Sequence, residues 1–286
     1  MKKLKITLLV FLCLGQCVYG YGLDWKMLHE SADKLNISQA EELVGVNQSS
    51  LDSLYVLALV YLNEYKPDQA KAIFLKMLKI NPQSIEAKWG MSEIQRSEYN
   101  LAESQTKLQE IIKADPEFSP AYITLAYLEF SLKNYKQAVR LADQVIRQGK
   151  ENVDISNYTR AYLICAGAKG MLADTGGPIA KAVYGLQVFP NLKRARSLLP
   201  EFPGVYFGLG SFYLLAPAIA GGDIDKAEEY LKKTIELDPH IIDAYVRLGQ
   251  VYQRQGDMEN LKKYLRMALE KDPKNYLANE VETSLK

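Results

Sequence analysis

Residues 242–273 read IDAYVRLGQVYQRQGDMENLKKYLRMALEKDP. Tyr245, Leu248 and Tyr252 recur at helical spacing, with the small Gly249 set among them. Gly256-Asp257 interrupts the run, a second helical pattern leads to Ala268, and Asp272-Pro273 ends it. The stretch predicts two helices joined by a tight turn. A small residue at 249 lets two antiparallel backbones come close, so that larger side chains three or four places away interdigitate. The proline stops the second helix, because it lacks an amide hydrogen and its ring clashes with the preceding turn.

The same unit recurs upstream. Windows of about 34 residues start at Leu51, Ile85 and Ser119, and others at Thr159, Pro203 and Ile242. The eighth place holds Ala58, Ser92, Ala126, Ala166, Gly210 and Gly249, all small. The twentieth holds Ala70, Ser104, Ala138 and, after a five-residue insertion, Ala227. Proline closes the units at Pro82, Pro116, Pro190, Pro239 and Pro273. The third unit departs with Lys150 in that place, and the fourth has Pro178 where alanine is expected. Extra segments fall at residues 151–158, 193–202 and 217–223. Such units cannot bury an apolar face alone and must stack on neighbours.

The pattern resembles the tetratricopeptide repeat (TPR). Leu57-Ala58, Tyr61, Ala70, Phe74 and Pro82 carry the match in the first unit, and Tyr206, Leu209-Gly210, Tyr213, Ala227, Leu231 and Asp238-Pro239 in the fifth. The resemblance implies an all-α solenoid over residues 23–286, with repeats at about 51–84, 85–118, 119–150, 159–192, 203–241 and 242–275. Before them, Trp25, Leu28, Ala32 and Leu35 recur at helical spacing, and Ser38-Gln39-Ala40-Glu41 resembles a capping box. These predict a degenerate N-terminal helical pair that caps the stack. Residues 275–286 predict a C-terminal capping helix.

Residues 1–20 stand apart. Lys2, Lys3 and Lys5 precede an apolar run from Ile6 to Leu14, then Gly15 and Gly20, which is the layout of a secretory signal peptide. The run is too short to span a membrane comfortably. Two processing outcomes are weighed: cleavage after Gly20, or a lipoprotein leader with acylation at Cys17, whose preceding Gln16 is atypical. Either way the chain is expected to be exported, to the bacterial periplasm or as an outer-membrane lipoprotein. Membrane contact is expected only through that lipid. Without the leader, 32 basic face 34 acidic residues, which gives no basic field for nucleic acid. Cys165 then stands alone, in an apolar helix, and reads as a buried structural thiol.

Catalysis has little to stand on. His29 and His240 are the two histidines, and no cluster has metal-ligand or nucleophile spacing. Glu93 and Glu129 read as solvated surface glutamates rather than a carboxylate pair. No enzyme, metal or cofactor is expected. Gly-Gly occurs in two turns, at residues 176–177 and 221–222, without phosphate-loop spacing.

Recognition is the better reading. Places 2, 5, 9, 12 and 13 of each first helix share one side, the concave side of a TPR-like stack. They supply an expected ligand- or partner-binding wall of Tyr55, Leu59, Trp89, Arg96, Ile123, Tyr127, Phe130, Leu163, Gly167, Gly170, Phe207 and Leu214. An apolar wall of this size does not stay exposed to water. It is covered by the leading helix pair, by a partner segment or by an apolar small ligand. The stretch with Phe202-Pro203-Gly204, Gly210, Pro217, Gly221-Gly222-Asp223 and Lys226-Ala227 is similar to the exported TPR proteins associated with bacterial TRAP transporters. That resemblance implies an apolar ligand and a periplasmic solute-binding protein as partner. The rival readings are an envelope assembly scaffold with a self-filled interior and, behind it, an enzyme with no recognised motif.

Overall fold

The computed structural model describes residues 23–285, so the expected leader and Cys17 lie outside the described residues. Every regular element among the described residues is helical. α1 (Trp25–Ala32) and α2 (Ile37–Val46) lead into six hairpins. These are α3 (Leu51–Asn63) with α4 (Pro67–Ile80), α5 (Ile85–Ser97) with α6 (Leu101–Ala114), and α7 (Ser119–Ser131) with α8 (Tyr135–Gln148). The fourth joins α9 (Ile155–Thr175) to α10 (Pro178–Ala180), a π-helical turn at Lys181–Gly185, and α11 (Leu186–Leu198). α12 (Pro203–Leu215) with α13 (Ile224–Leu237) and α14 (Ile242–Arg254) with α15 (Met258–Lys271) complete the set, and α16 (Tyr276–Ser284) packs on the last pair.

The small places do what their spacing demands. Ala58, Ser92, Ala126, Ala70, Ser104, Ala138 and Ala227 are fully buried where helices meet. At Gly210 an added Cβ would lie 2.7 Å from Leu231 Cγ, so only glycine permits the close approach of α12 to α13. Side-chain caps start several helices: Ser50, Ser84, Asp154, Asp223 and Asp257 each accept a first-turn amide.

Three local expectations are corrected. The capping box of α2 is Asn36 with Gln39, so that helix starts ahead of Ser38. α1 and α2 do not close on one another as the repeats do; each packs on α3. Pro190 lies inside α11, and the fourth unit runs from Ile155 to Leu198 rather than over 159–192. Pro190 removes a single bond, to Leu186, next to a π turn where the i→i−4 ladder has already loosened. In the third unit, Gly149 at φ 89° ends α8 in place of a proline.

The fifteenth place of the units governs the overall shape. It is the turn between paired helices, and Gly256 occupies it in the sixth unit with φ 82°. The first three units put Tyr65 (φ 54°), Tyr99 (φ 66°) and Lys133 (φ 62°) there. A left-handed conformation costs a non-glycine residue about 1–2 kcal/mol. These three side chains reach across to the C-terminal units. Tyr65 donates to Asp238 and stacks on His240 at 3.9 Å. Tyr99 donates to Asp272, with Lys274 over its ring. Lys133 pairs with Glu280 and lies 4.7 Å above the ring of Tyr276. The coil comes full circle and meets itself along this seam.

Candidate functional site

α1 lies along the groove made by the first helices. Trp25 is edge-on to Phe118 (5.5 Å between ring centroids), and His29 sits between Tyr55 (5.6 Å) and Trp89 (5.5 Å). Tyr55 Oη and His29 Nε2 share a hydrogen bond of 2.8 Å, and Trp89 Nε1 donates to Thr124 Oγ1 at 3.0 Å. The ends are tied down: Lys26 Nζ donates to the Glu151 carbonyl, while Asp33 accepts from Ser156 and Asn63. Burial pushes the His29 pKa down, against Asp154 and Asp33, so the imidazole is held neutral. Burial likewise pushes the Tyr55 phenol up.

Part of the expected wall is therefore occupied by the chain itself. Tyr55, Leu59, Trp89 and Ile123 are at most 7% exposed and belong to the core that includes Leu28 and Ala32 of α1. Leu214 is equally buried, with Leu231 and Leu248, in the core of the last hairpins. An apolar wall beside an amphipathic helix of the same chain is covered by that helix, since this removes the most apolar surface from water.

The rest of the wall is open. Arg96 grips Glu93 in a fork, Nε lying 3.2 Å from both carboxylate oxygens. Burial works to raise the Glu93 pKa, but the charge and hydrogen bonds of Arg96, with Thr124 and Arg160, hold it below the usual value. Tyr127 is 37% exposed on this inner wall. Arg160, one turn beyond Ser156, donates to Asn157 at 3.3 Å and lies 5.5 Å over the ring of Phe202. It has no ion pair within 4 Å among the described residues, and its field reaches Glu93, Tyr127 and, across the seam, Tyr65.

An added Cβ on Gly167 would lie 3.3 Å from the Phe130 ring, so Gly167 keeps the space in front of Phe130 clear. Leu163 meets α12 instead, at Gly204 and Gly208. Gly170 meets only Val188, at an ordinary 3.9 Å. Phe207 stands apart, partly buried against the core around Leu214. The structure thus brings Arg96 and Arg160 within electrostatic reach of Tyr127, and sets Phe130 against Gly167, on the inner side of the coil.

Two readings from sequence change. Glu129 is not solvated: it is buried and accepts from Gln105 and Asn134, at 2.7 and 2.8 Å. Glu93 is likewise paired. Cys165 is buried and free, donating to Asp143 at 3.3 Å, and burial pushes its thiol pKa up. Among the described residues no three His, Cys, Asp or Glu side chains are grouped to hold a metal ion.

The tetratricopeptide-repeat family model matches residues 51–84, 218–241 and 242–275, which are the first unit, the second half of the fifth and the sixth. The fold is that of a TPR solenoid. This solenoid superposes on Cut9–Hcn1 of the APC/C hetero-tetramer with a TM-score of 0.59 at 15% identity, over 88% of this chain and 46% of that chain. It also superposes on a tetratricopeptide repeat protein from Parabacteroides merdae with a TM-score of 0.53 at 17% identity, over 91% and 97% of the two chains. At such identities the likeness is one of fold. No curated protein matches the sequence of this TPR chain.

Proposed function

We propose that this TPR solenoid is a non-enzymatic interaction protein whose open inner side forms a channel for an apolar small ligand or a thin extended segment of a protein partner. The carrying observation is Tyr127, a large aromatic side chain left reachable on an inner wall where Tyr55 and Trp89 are covered by α1. Phe130 and the space kept by Gly167 supply apolar contact. Arg160 supplies one positive charge without a carboxylate partner, which favours an acidic group on the occupant. Native mass spectrometry of the purified protein tests this reading. A retained small molecule or peptide that is lost in Gly167→Leu, with helicity unchanged, supports it; an empty protein that binds nothing on dialysis against lipid or cell extract refutes it.

A second reading, an assembly scaffold with a self-filled interior, is favoured by the seating of His29 on Tyr55 and Trp89. It expects no retained molecule and partners held on outer surfaces.

We infer that the protein acts outside the cytoplasm, from Lys2, Lys3 and Lys5 followed by the apolar run to Leu14. The TRAP-like stretch around Pro217 to Asp223 supports a solute-binding protein as partner. N-terminal sequencing and mass of the protein recovered from cell fractions test export, cleavage after Gly20 and acylation at Cys17 together.

A further inference from the structure

The helical run through α10, the π turn and α11 carries a stripe that nothing in the fold covers. Ile179 is 81% exposed, Val183 50%, Leu186 77% and Phe189 42%. Steps of four, three and three residues keep them on one side of a helix. The insert after α12 lies beside them: Phe189 packs on Phe212 at 5.2 Å, and Gly221 of the insert faces that same ring. The tip of the insert is Ile219, 99% exposed. Two protruding elements therefore present large aliphatic side chains along one edge, where Ile179 and Val183 line a shallow open hollow with Gly177, Pro178, Ala180 and Tyr184.

The charge of the run through α10 and α11 is one-sided, although Asp174 precedes it, Glu201 follows it, and the insert ends in Asp223, which pairs with Lys226. Residues 175–200 contain Lys181, Lys193, Arg194 and Arg196 and no carboxylate, in a chain that is otherwise acid-rich beyond its leader. All four are exposed, and none is in an ion pair among the described residues. A basic helix with an exposed apolar stripe has the composition of a segment that lies in the plane of a membrane surface, its apolar side among the lipid headgroups. No helix of the described residues is long and apolar enough to cross a bilayer.

We propose that the edge formed by Ile179, Val183, Leu186, Phe189 and Ile219 docks on an anionic lipid bilayer, with Lys193 and Arg194 against the headgroups. This goes beyond a lipid at Cys17 and does not depend on what the channel holds. The basic flank favours an anionic surface, and Ile219, 99% exposed at the end of the insert, favours insertion among lipid headgroups.

The test is flotation of the full chain with phosphatidylcholine vesicles, with or without phosphatidylglycerol. Parent, Ile179→Glu/Leu186→Glu/Ile219→Glu and Lys193→Glu/Arg194→Glu are compared after circular dichroism shows equal helicity. The parent is expected to float with the anionic vesicles, and each variant to bind about tenfold or more weakly, with added salt weakening the parent. Binding that persists in both variants, or a parent that does not bind, overturns the proposal. So does sedimentation in which the parent is a multimer that the triple variant dissociates without any vesicle binding, since the stripe is then a protein interface.

Discussion

Tyr65, held at φ 54°, donates its phenolic hydrogen to Asp238, 173 residues further along the chain. Burial first, and then this bond, raise the Tyr65 pKa well above the ordinary phenol value, so the donor keeps its proton at any physiological pH. Tyr99 and Asp272 repeat the relationship at the same separation. Each rung sets a ring contact and a hydrogen bond against a left-handed backbone. In Tyr65→Gly/Tyr99→Gly the strain of about 1–2 kcal/mol per residue is relieved while both rungs are lost. The melting temperature is expected to change little and the radius of gyration to rise. An unchanged small-angle scattering profile would show that the coil is held shut by other means.

His29 gives the protein an acid-side weakness. Its native pKa lies below the 6.5 of the free imidazole, so below that pH the unfolded chain binds more protons than the folded one. Stability is then fully present above about 6.5 and falls with pH, by up to about 1.4 kcal/mol per unit, until the lowered native pKa is reached. Urea unfolding at about pH 7.5 and 5.5 measures the slope. In His29→Gln that contribution is expected to vanish.

Trp89 and Tyr127 were legible as one wall and now part company. Trp89→Ala is expected to cost about 3–5 kcal/mol, as an aromatic deletion from a packed core. Tyr127→Ala is expected to stay within about 0.5 kcal/mol, since it leaves no cavity. By the same reasoning Trp89→Glu abolishes folding and Phe130→Glu does not. Chemical denaturation of the set decides whether the division between filled groove and open channel is drawn in the right place.

Gly90 and Gly177 make a contrasting pair. A Cβ on Gly90 would lie 2.2 Å from the Phe74 ring, and Phe74 is fully buried. Gly90→Ala is therefore expected to overpack the contact of α4 with α5 and cost about 1–3 kcal/mol. Gly177 has nothing within 4 Å and an ordinary φ of −72°, so Gly177→Ala should be silent. Melting curves of the two variants, run together, check the assignment.

Helix pairing was written locally, and so it could be read. Ala58, Ala126 and Gly249 mark close approaches between neighbours in sequence, and a 34-residue period exposes them. The path of α1 was not readable in the same way. Trp25 and His29 have helical spacing, but their partners Phe118, Tyr55 and Trp89 are spread over two units at different places within them, and no period connects them. The channel was half legible: Arg96, Tyr127, Phe130, Arg160 and Gly167 follow from concave placement, whereas only the assembled structure reveals that Arg160 has no ion pair within 4 Å among the described residues. The seam carried one available signal. Tyr65, Tyr99 and Lys133 stand where Gly256 stands in the sixth unit, and a bulky residue in a glycine place asks for a reason. Pro190 misled because proline usually ends a helix, and the π turn that accommodates it has no sequence mark.

Two rungs with one separation also make the closure periodic. Tyr65 and Tyr99 stand 34 residues apart, as do Asp238 and Asp272. Deleting one 34-residue hairpin between the partners would bring Asp272 opposite Tyr65, and inserting one would bring Asp238 opposite Tyr99. The protein can therefore lose or gain a hairpin and still fasten, like a belt buckled one hole along.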